Sequence, residues 1–112
     1  MKVYDLEQRT LTFSKDVISL CRKLPKNSIN LPLISQIVRS ATSIGANYRE
    51  ANDGLGKKDF LLRLRIARKE AKESSYWLEL LAESNQQIDF SVLINECLEL
   101  RNILSSIITK SL

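Results

Sequence analysis

Seven cations crowd one short stretch of this chain: Lys57, Lys58, Arg63, Arg65, Arg68, Lys69 and Lys72, with only Asp59 and Glu70 among them. Clustered ammonium and guanidinium groups attract phosphates, and each phosphate neutralised releases counterions, so such a surface points to salt-dependent nucleic-acid binding. At helical spacing Arg65, Lys69 and Lys72 share one face, and Lys58 extends it by two turns. A solvated helix with cations spread around it has the same composition. No RNA-recognition aromatic motif, zinc-finger spacing or glycine-rich phosphate loop accompanies the cluster, so binding through it would be electrostatic and led by shape.

Catalysis has little footing. The chain holds no His, which removes the usual general base near neutral pH and the commonest metal ligand. Glu50, Glu70, Glu73 and Glu96 lack the Glu-x-x-His partners of two-metal bundle sites, and neither Cys21 nor Cys97 has an activating neighbour or a CxxC spacing. The sequence therefore predicts a protein that is not an enzyme, with no cofactor and no metal. Its two cysteines read as small core residues in a reducing compartment rather than as a disulfide.

A second set of polar residues has a different character. Between positions 34 and 51, Ile34, Ile37, Ala41, Ile44, Tyr48 and Ala51 form an apolar stripe, and Gln36, Arg39, Ser43, Asn47 and Glu50 form a polar one beside it. Short side chains (Ser43, Gly45, Ala46, Asn47) sit among the polar positions, where neighbouring backbones can approach. Either this stripe faces water, or it faces another helix and carries a hydrogen-bond network that fixes register.

The elements that must position both sets are helical. Three Gly and two Pro leave room for few turns, and 44% hydrophobic content over 112 residues is enough for one ordinary core. Helices are predicted over about 5–24, 31–53, 58–85 and 90–110, with Asp5, Asn30 and Asp89 as N-caps. Pro25 stops the first, and the Asn52–Gly56 segment supplies glycines for a left-handed cap on the second. Short connections and matching heptads make the predicted fold all-α, an antiparallel up-down-up-down four-helix bundle in one domain over 1–112.

In that bundle, positions of the second and third helices whose numbers sum to about 111 lie level. The polar stripe then meets a polar interruption at Lys69, Glu70 and Glu73, with Arg39–Glu73 and Glu50 with Arg63 or Arg65 as the expected ion pairs. A buried pair, broken on one side, would cost about 3–5 kcal/mol, an exposed one about 0–1 kcal/mol.

Charge is distributed unevenly. Residues 1–72 hold 15 basic against 7 acidic residues, a net +8, and residues 73–112 hold 2 against 6, a net −4. Such polarisation suits an anion-attracting side, or two complementary surfaces that meet in an oligomer. Extra apolar positions on the fourth helix and the Tyr76-Trp77 pair exceed one inner seam, which points to burial against another copy. With no signal peptide and no apolar run of membrane-spanning length, the protein is expected to be cytoplasmic, soluble and away from membranes.

Three segments together carry a family resemblance: Ser43-Ile44-Gly45-Ala46-Asn47-Tyr48-Arg49-Glu50-Ala51, Lys57-Lys58-Asp59-Phe60, and Ile66 to Leu81 with its Ala67-Arg68-Lys69-Glu70-Ala71 and Tyr76-Trp77-Leu78-Glu79-Leu80 runs. In order and spacing, over nearly the whole chain, they resemble the bacterial 23S ribosomal RNA intervening-sequence proteins. That family is similar to the accessory protein of diversity-generating retroelements, a barrel-like homopentamer that binds nucleic acid and a reverse transcriptase. The resemblance implies a ring of five bundles with a basic surface, and its motif falls here on Arg39, Ser43, Asn47, Glu50 and Glu73. Where many members have small residues in the third helix, this chain has Arg68-Lys69-Glu70, which raises the local charge.

The combined expectation is an oligomeric bundle, pentameric by resemblance, that binds ribosomal or other structured RNA, or another nucleic acid, through its third-helix cations. The alternative is a scaffold or adaptor for a protein partner, in which the charge asymmetry serves assembly alone.

Overall fold

Each helix begins and ends where the local chemistry satisfies its orphan backbone groups. The computed structural model describes residues 5–112, so positions 1–4 of the domain expected over 1–112 lie outside the described residues. Asp5 caps α1 (Leu6–Arg22), its carboxylate accepting the Gln8 N–H at 3.0 Å. This helix stops before the predicted residue 24, because Pro25 keeps its predecessor out of helical backbone. Lys26 Nζ then donates to the Cys21 and Leu24 carbonyls (2.8 and 2.6 Å), placing a cation at the negative end of the helix.

For α2 (Asn30–Ala51) the cap differs from the expected one. Asn27, not Asn30, accepts the N–H groups of Ile29 and Asn30 (3.1 and 2.8 Å), which frees Asn30 for the core. Pro32 falls in the first turn, where its missing N–H has no intrahelical partner to lose. The left-handed cap on α2 is also corrected: Asn52 ends the helix in right-handed backbone, and the positive φ angles come later, at Gly54 (75°) and Gly56 (98°). Gly56 serves as the N-cap of α3 (Lys57–Ser84). At the start of α4 (Ser91–Lys110), Phe90 occupies the predicted Asp89 cap position and is buried. The Asp89 carboxylate still accepts from the Ser91 hydroxyl and N–H, which hold it below the usual carboxylate range.

The four helices form an all-α antiparallel bundle in cyclic order. α1 packs on α2, α2 on α3, α3 on α4, and α4 closes on α1 by the least extensive contact; diagonal pairs stay apart. The 28 residues of α3 make a rod of about 42 Å, which matches the 44 Å long axis of the molecule. Phe13, Val17, Ile37, Ile44, Leu78 and Leu104 are among the fully buried side chains along the centre. At Gly45 the α1 and α2 backbones come so close that an added Cβ would lie 2.8 Å from Thr10 Oγ1. The sparse α1–α4 seam is clasped by Arg9, whose guanidinium binds Glu96 through two hydrogen bonds (2.7 and 2.9 Å) and Glu99 through one (2.6 Å). Those bonds, Glu96 first, hold the Arg9 pKa above its ordinary value.

Most of the apolar excess of α4 is absorbed inside the chain: Ile94, Leu98 and Ile103 are half-buried and Ile108 is buried. Val92 is the large apolar residue that α4 itself leaves in water.

Candidate nucleic-acid interface

The outer line of α3 runs through Lys58, Leu62, Arg65, Lys69, Lys72, Tyr76, Glu79 and Glu83, at alternating spacings of four and three, and all eight are exposed. Lys58, Arg65, Lys69 and Lys72 have no hydrogen-bond or ion-pair partner among the described residues, and the same holds for exposed Lys57. The two remaining cations of the cluster are turned sideways. Arg63, half-buried, lies 3.7 Å from Asp59 and 3.5 Å from the Asn47 side-chain oxygen, against α2. Arg68 reaches the Ser105 hydroxyl of α4 at 3.5 Å. The sequence cluster is thus divided by the helix into an outward row and two flanking arginines.

The acidic residues of this half of α3 face the other way. Glu70 is buried and Glu73 half-buried, and both are met by Arg39 of α2, at 3.3 Å and 2.9 Å respectively. Asp59 is turned toward Arg63. The bonds to Glu73 and Glu70 raise the Arg39 pKa from its ordinary value. Every carboxylate between 57 and 73 is therefore matched by an arginine on the α2 side, and the outward row keeps its full positive charge.

Of the polar stripe, Arg39 meets Glu73 of α3 as expected, and Asn47 reaches Arg63 of α3. Ser43 bonds instead to its own helix, donating to the Arg39 carbonyl at 2.8 Å. Glu50 is exposed and pairs with neither Arg63 nor Arg65, because Arg63 is drawn to Asp59 and Arg65 points outward. The buried polar contacts between α2 and α3 fall on other residues. Ser74 Oγ donates to Ser40 Oγ at 2.8 Å in the centre. At one end Asn30 and Asn85 exchange side-chain amide hydrogen bonds (2.9 and 3.0 Å). The visible signal for the first pair was a serine, Ser74, inside an otherwise apolar heptad; a buried hydroxyl there needs a partner. Glu70 stands in the polar interruption that the sequence places opposite this stripe, but its sharing of Arg39 with Glu73 was not expected there.

Cys21 and Cys97 are free and buried. Cys97 Sγ donates to the Ala71 carbonyl at 2.8 Å, and burial pushes its pKa up to about 12 despite the Ser75 backbone N–H, which acts in the opposite direction. Among the described residues no group of His, Cys, Asp and Glu could hold a metal, and no helix is long and apolar enough to cross a membrane.

An all-α antiparallel four-helix bundle is the class of protein that the fold defines. Residues 2–106 match the family model described as 23S rRNA-intervening sequence protein, and the chain belongs to that family. A crystal structure of a protein of unknown function, of the S23 ribosomal protein family from Bacteroides thetaiotaomicron, superposes with a TM-score of 0.82. It is 37% identical, over 91% of this chain and 96% of its own. No curated protein matches the chain.

Proposed function

We propose that this protein acts without catalysis, as a homo-oligomer in the cytoplasm, by binding structured RNA or another nucleic acid through the outward row of α3. The observation that carries the reading is the sorting of charge: Asp59, Glu70 and Glu73 are compensated toward α2, whereas Lys58, Arg65, Lys69 and Lys72 have no partner among the described residues. From Lys58 to Lys72 the row extends about 21 Å, room for several phosphates at about 3.4 Å per step of a strand. Membership in a family named for ribosomal RNA insertions is compatible with such a ligand. Five copies is the assembly that the family resemblance implies, and free buried cysteines suit a reducing compartment.

The test is binding to a fluorescent ribosomal RNA fragment over a salt series, with light scattering for mass. Four phosphate contacts give a slope of about −3.6 in log K against log salt, so a fourfold rise in salt weakens binding by roughly 150-fold. Replacing Arg65, Lys69 and Lys72 together by Glu should abolish binding and leave the mass unchanged. Loss of assembly with RNA binding intact would instead favour the scaffold reading, in which a protein partner takes the place of RNA.

A further inference from the structure

The outward row of α3 does not end on a cation. Four residues beyond Lys72, about 6 Å along the axis, stands Tyr76, 58% exposed. Its ring meets that of Trp77 edge-on, with centroids 5.1 Å apart and planes at 67°, so one side of Tyr76 is braced by a half-buried neighbour. An aromatic ring held in this way offers a flat face at little further cost in side-chain freedom. Past Tyr76 the row changes sign: Glu79 and Glu83 are both exposed, and neither has a cationic partner among the described residues.

We infer that this row holds the unpaired end of a nucleic-acid strand, with phosphates along Lys58, Arg65, Lys69 and Lys72 and the last base stacked on Tyr76. The inference rests on the nucleic-acid reading above and specifies its ligand. A continuous duplex laid along α3 would carry phosphates over Glu79 and Glu83, where like charges repel, and its bases would have no free face for Tyr76. A strand end fits both features. Its charge stops where the cations stop, and an unstacked base supplies the π-face that an exposed aromatic ring takes without regard to sequence.

The experiment compares two RNA hairpins of identical stem, one blunt and one with a short unpaired overhang, on the full chain. The wild type should bind the overhang probe about fivefold or more tightly than the blunt one, the range expected when one stacking contact is gained. Tyr76→Ala should remove this preference and leave blunt-probe affinity unchanged, whereas Tyr76→Phe, which keeps the ring, should retain it. Because Tyr76 is mostly exposed, the variants should keep wild-type helicity. Trp77 is the only tryptophan, so its emission should change with the overhang probe and not with the blunt one. Equal binding of both probes by the wild type, with a steep salt dependence, overturns this inference and spares the charge reading. A Tyr76→Ala protein that still prefers the overhang also overturns it, and failure of both probes to bind at low salt overturns both readings.

Discussion

Replacing Asn30 by Ala tests what sets the register between α2 and α3. The Asn30 amide donates to the Pro25 carbonyl (2.9 Å) and to Asn85 Oδ1 (2.9 Å), and accepts from Asn85 Nδ2 (3.0 Å) and Ser84 Oγ (2.8 Å). Asn85 uses its second N–H on the Leu81 carbonyl (2.9 Å), so every amide hydrogen of the pair is engaged. Asn30→Ala strands Asn85 Oδ1 and one Asn85 N–H in a site where both residues are about fully buried; Ser84, being exposed, turns to water. At about 1–3 kcal/mol for each orphaned group the loss is about 2–6 kcal/mol. Total stability for a chain of this length is about 6–17 kcal/mol. Asn85→Ala orphans one N–H of Asn30 and the Leu81 carbonyl, while Asn30 Oδ1 keeps Ser84, so its expected cost is also about 2–6 kcal/mol. The double substitution should cost less than the sum by about 3 kcal/mol or more, because it removes the three amide groups that the single changes leave unpaired and keeps only the Leu81 carbonyl without its donor. Urea unfolding followed by far-UV circular dichroism, over all four corners of the cycle, measures these values. Single costs below about 1 kcal/mol, or additivity within about 0.5 kcal/mol, would refute the reasoning.

Other predictions concern close packing and burial. Gly45→Ala gains about 1 kcal/mol of helix propensity but drives a methyl against Thr10, whose hydroxyl is tied to the Leu6 carbonyl at 2.6 Å. At 2.8 Å the contact belongs in the upper part of the overpacking range, about 2–3 kcal/mol, so a net loss of about 1–2 kcal/mol is expected, and adding Thr10→Ala should recover stability in thermal melts; a Gly45→Ala protein as stable as wild type would contradict this. The Cys97 thiol keeps its proton in the folded state up to a pKa of about 12, against an ordinary value of 9.0. Above about pH 9 the unfolded chain therefore releases a proton that the native chain retains, and stability falls with pH, on the order of 1 kcal/mol per unit at most. Urea midpoints of wild type and Cys97→Ala should diverge over that window, and parallel curves would count against the assignment. Iodoacetamide should leave Cys97 unmodified in the native protein and label it once urea unfolds the chain.

The fold was largely legible in the sequence because its signals are local. Heptad spacing in Leu64, Ala67, Ala71, Leu78 and Leu81 depends on helix geometry alone, and all five are buried. Scarce Gly and Pro, a capping Asp5 and a stopping Pro25 fixed the helices to within a few residues. Caps were less certain, since Asn27 and Asn30 offer the same side chain three positions apart. The side chain that caps is decided by which of the two the core claims, and Asn85, 55 residues away, claims Asn30.

For the candidate interface, sequence by itself determined the residue types and their period: cations at 58, 65, 69 and 72 on one line, and Arg39 level with Glu73. Tertiary structure alone decided which charges cancel. Arg63 and Arg68 belong to the same sequence cluster, but the flanks of α3 that carry them lie against α2 and α4, where Asp59, Asn47 and Ser105 engage them. Lys69, Glu70 and Glu73 form one polar interruption in the sequence, yet the rotation of α3 turns Glu70 and Glu73 to Arg39 and leaves Lys69 in water. Coulomb energy depends on distance and solvent exposure, and neither is a property of sequence order.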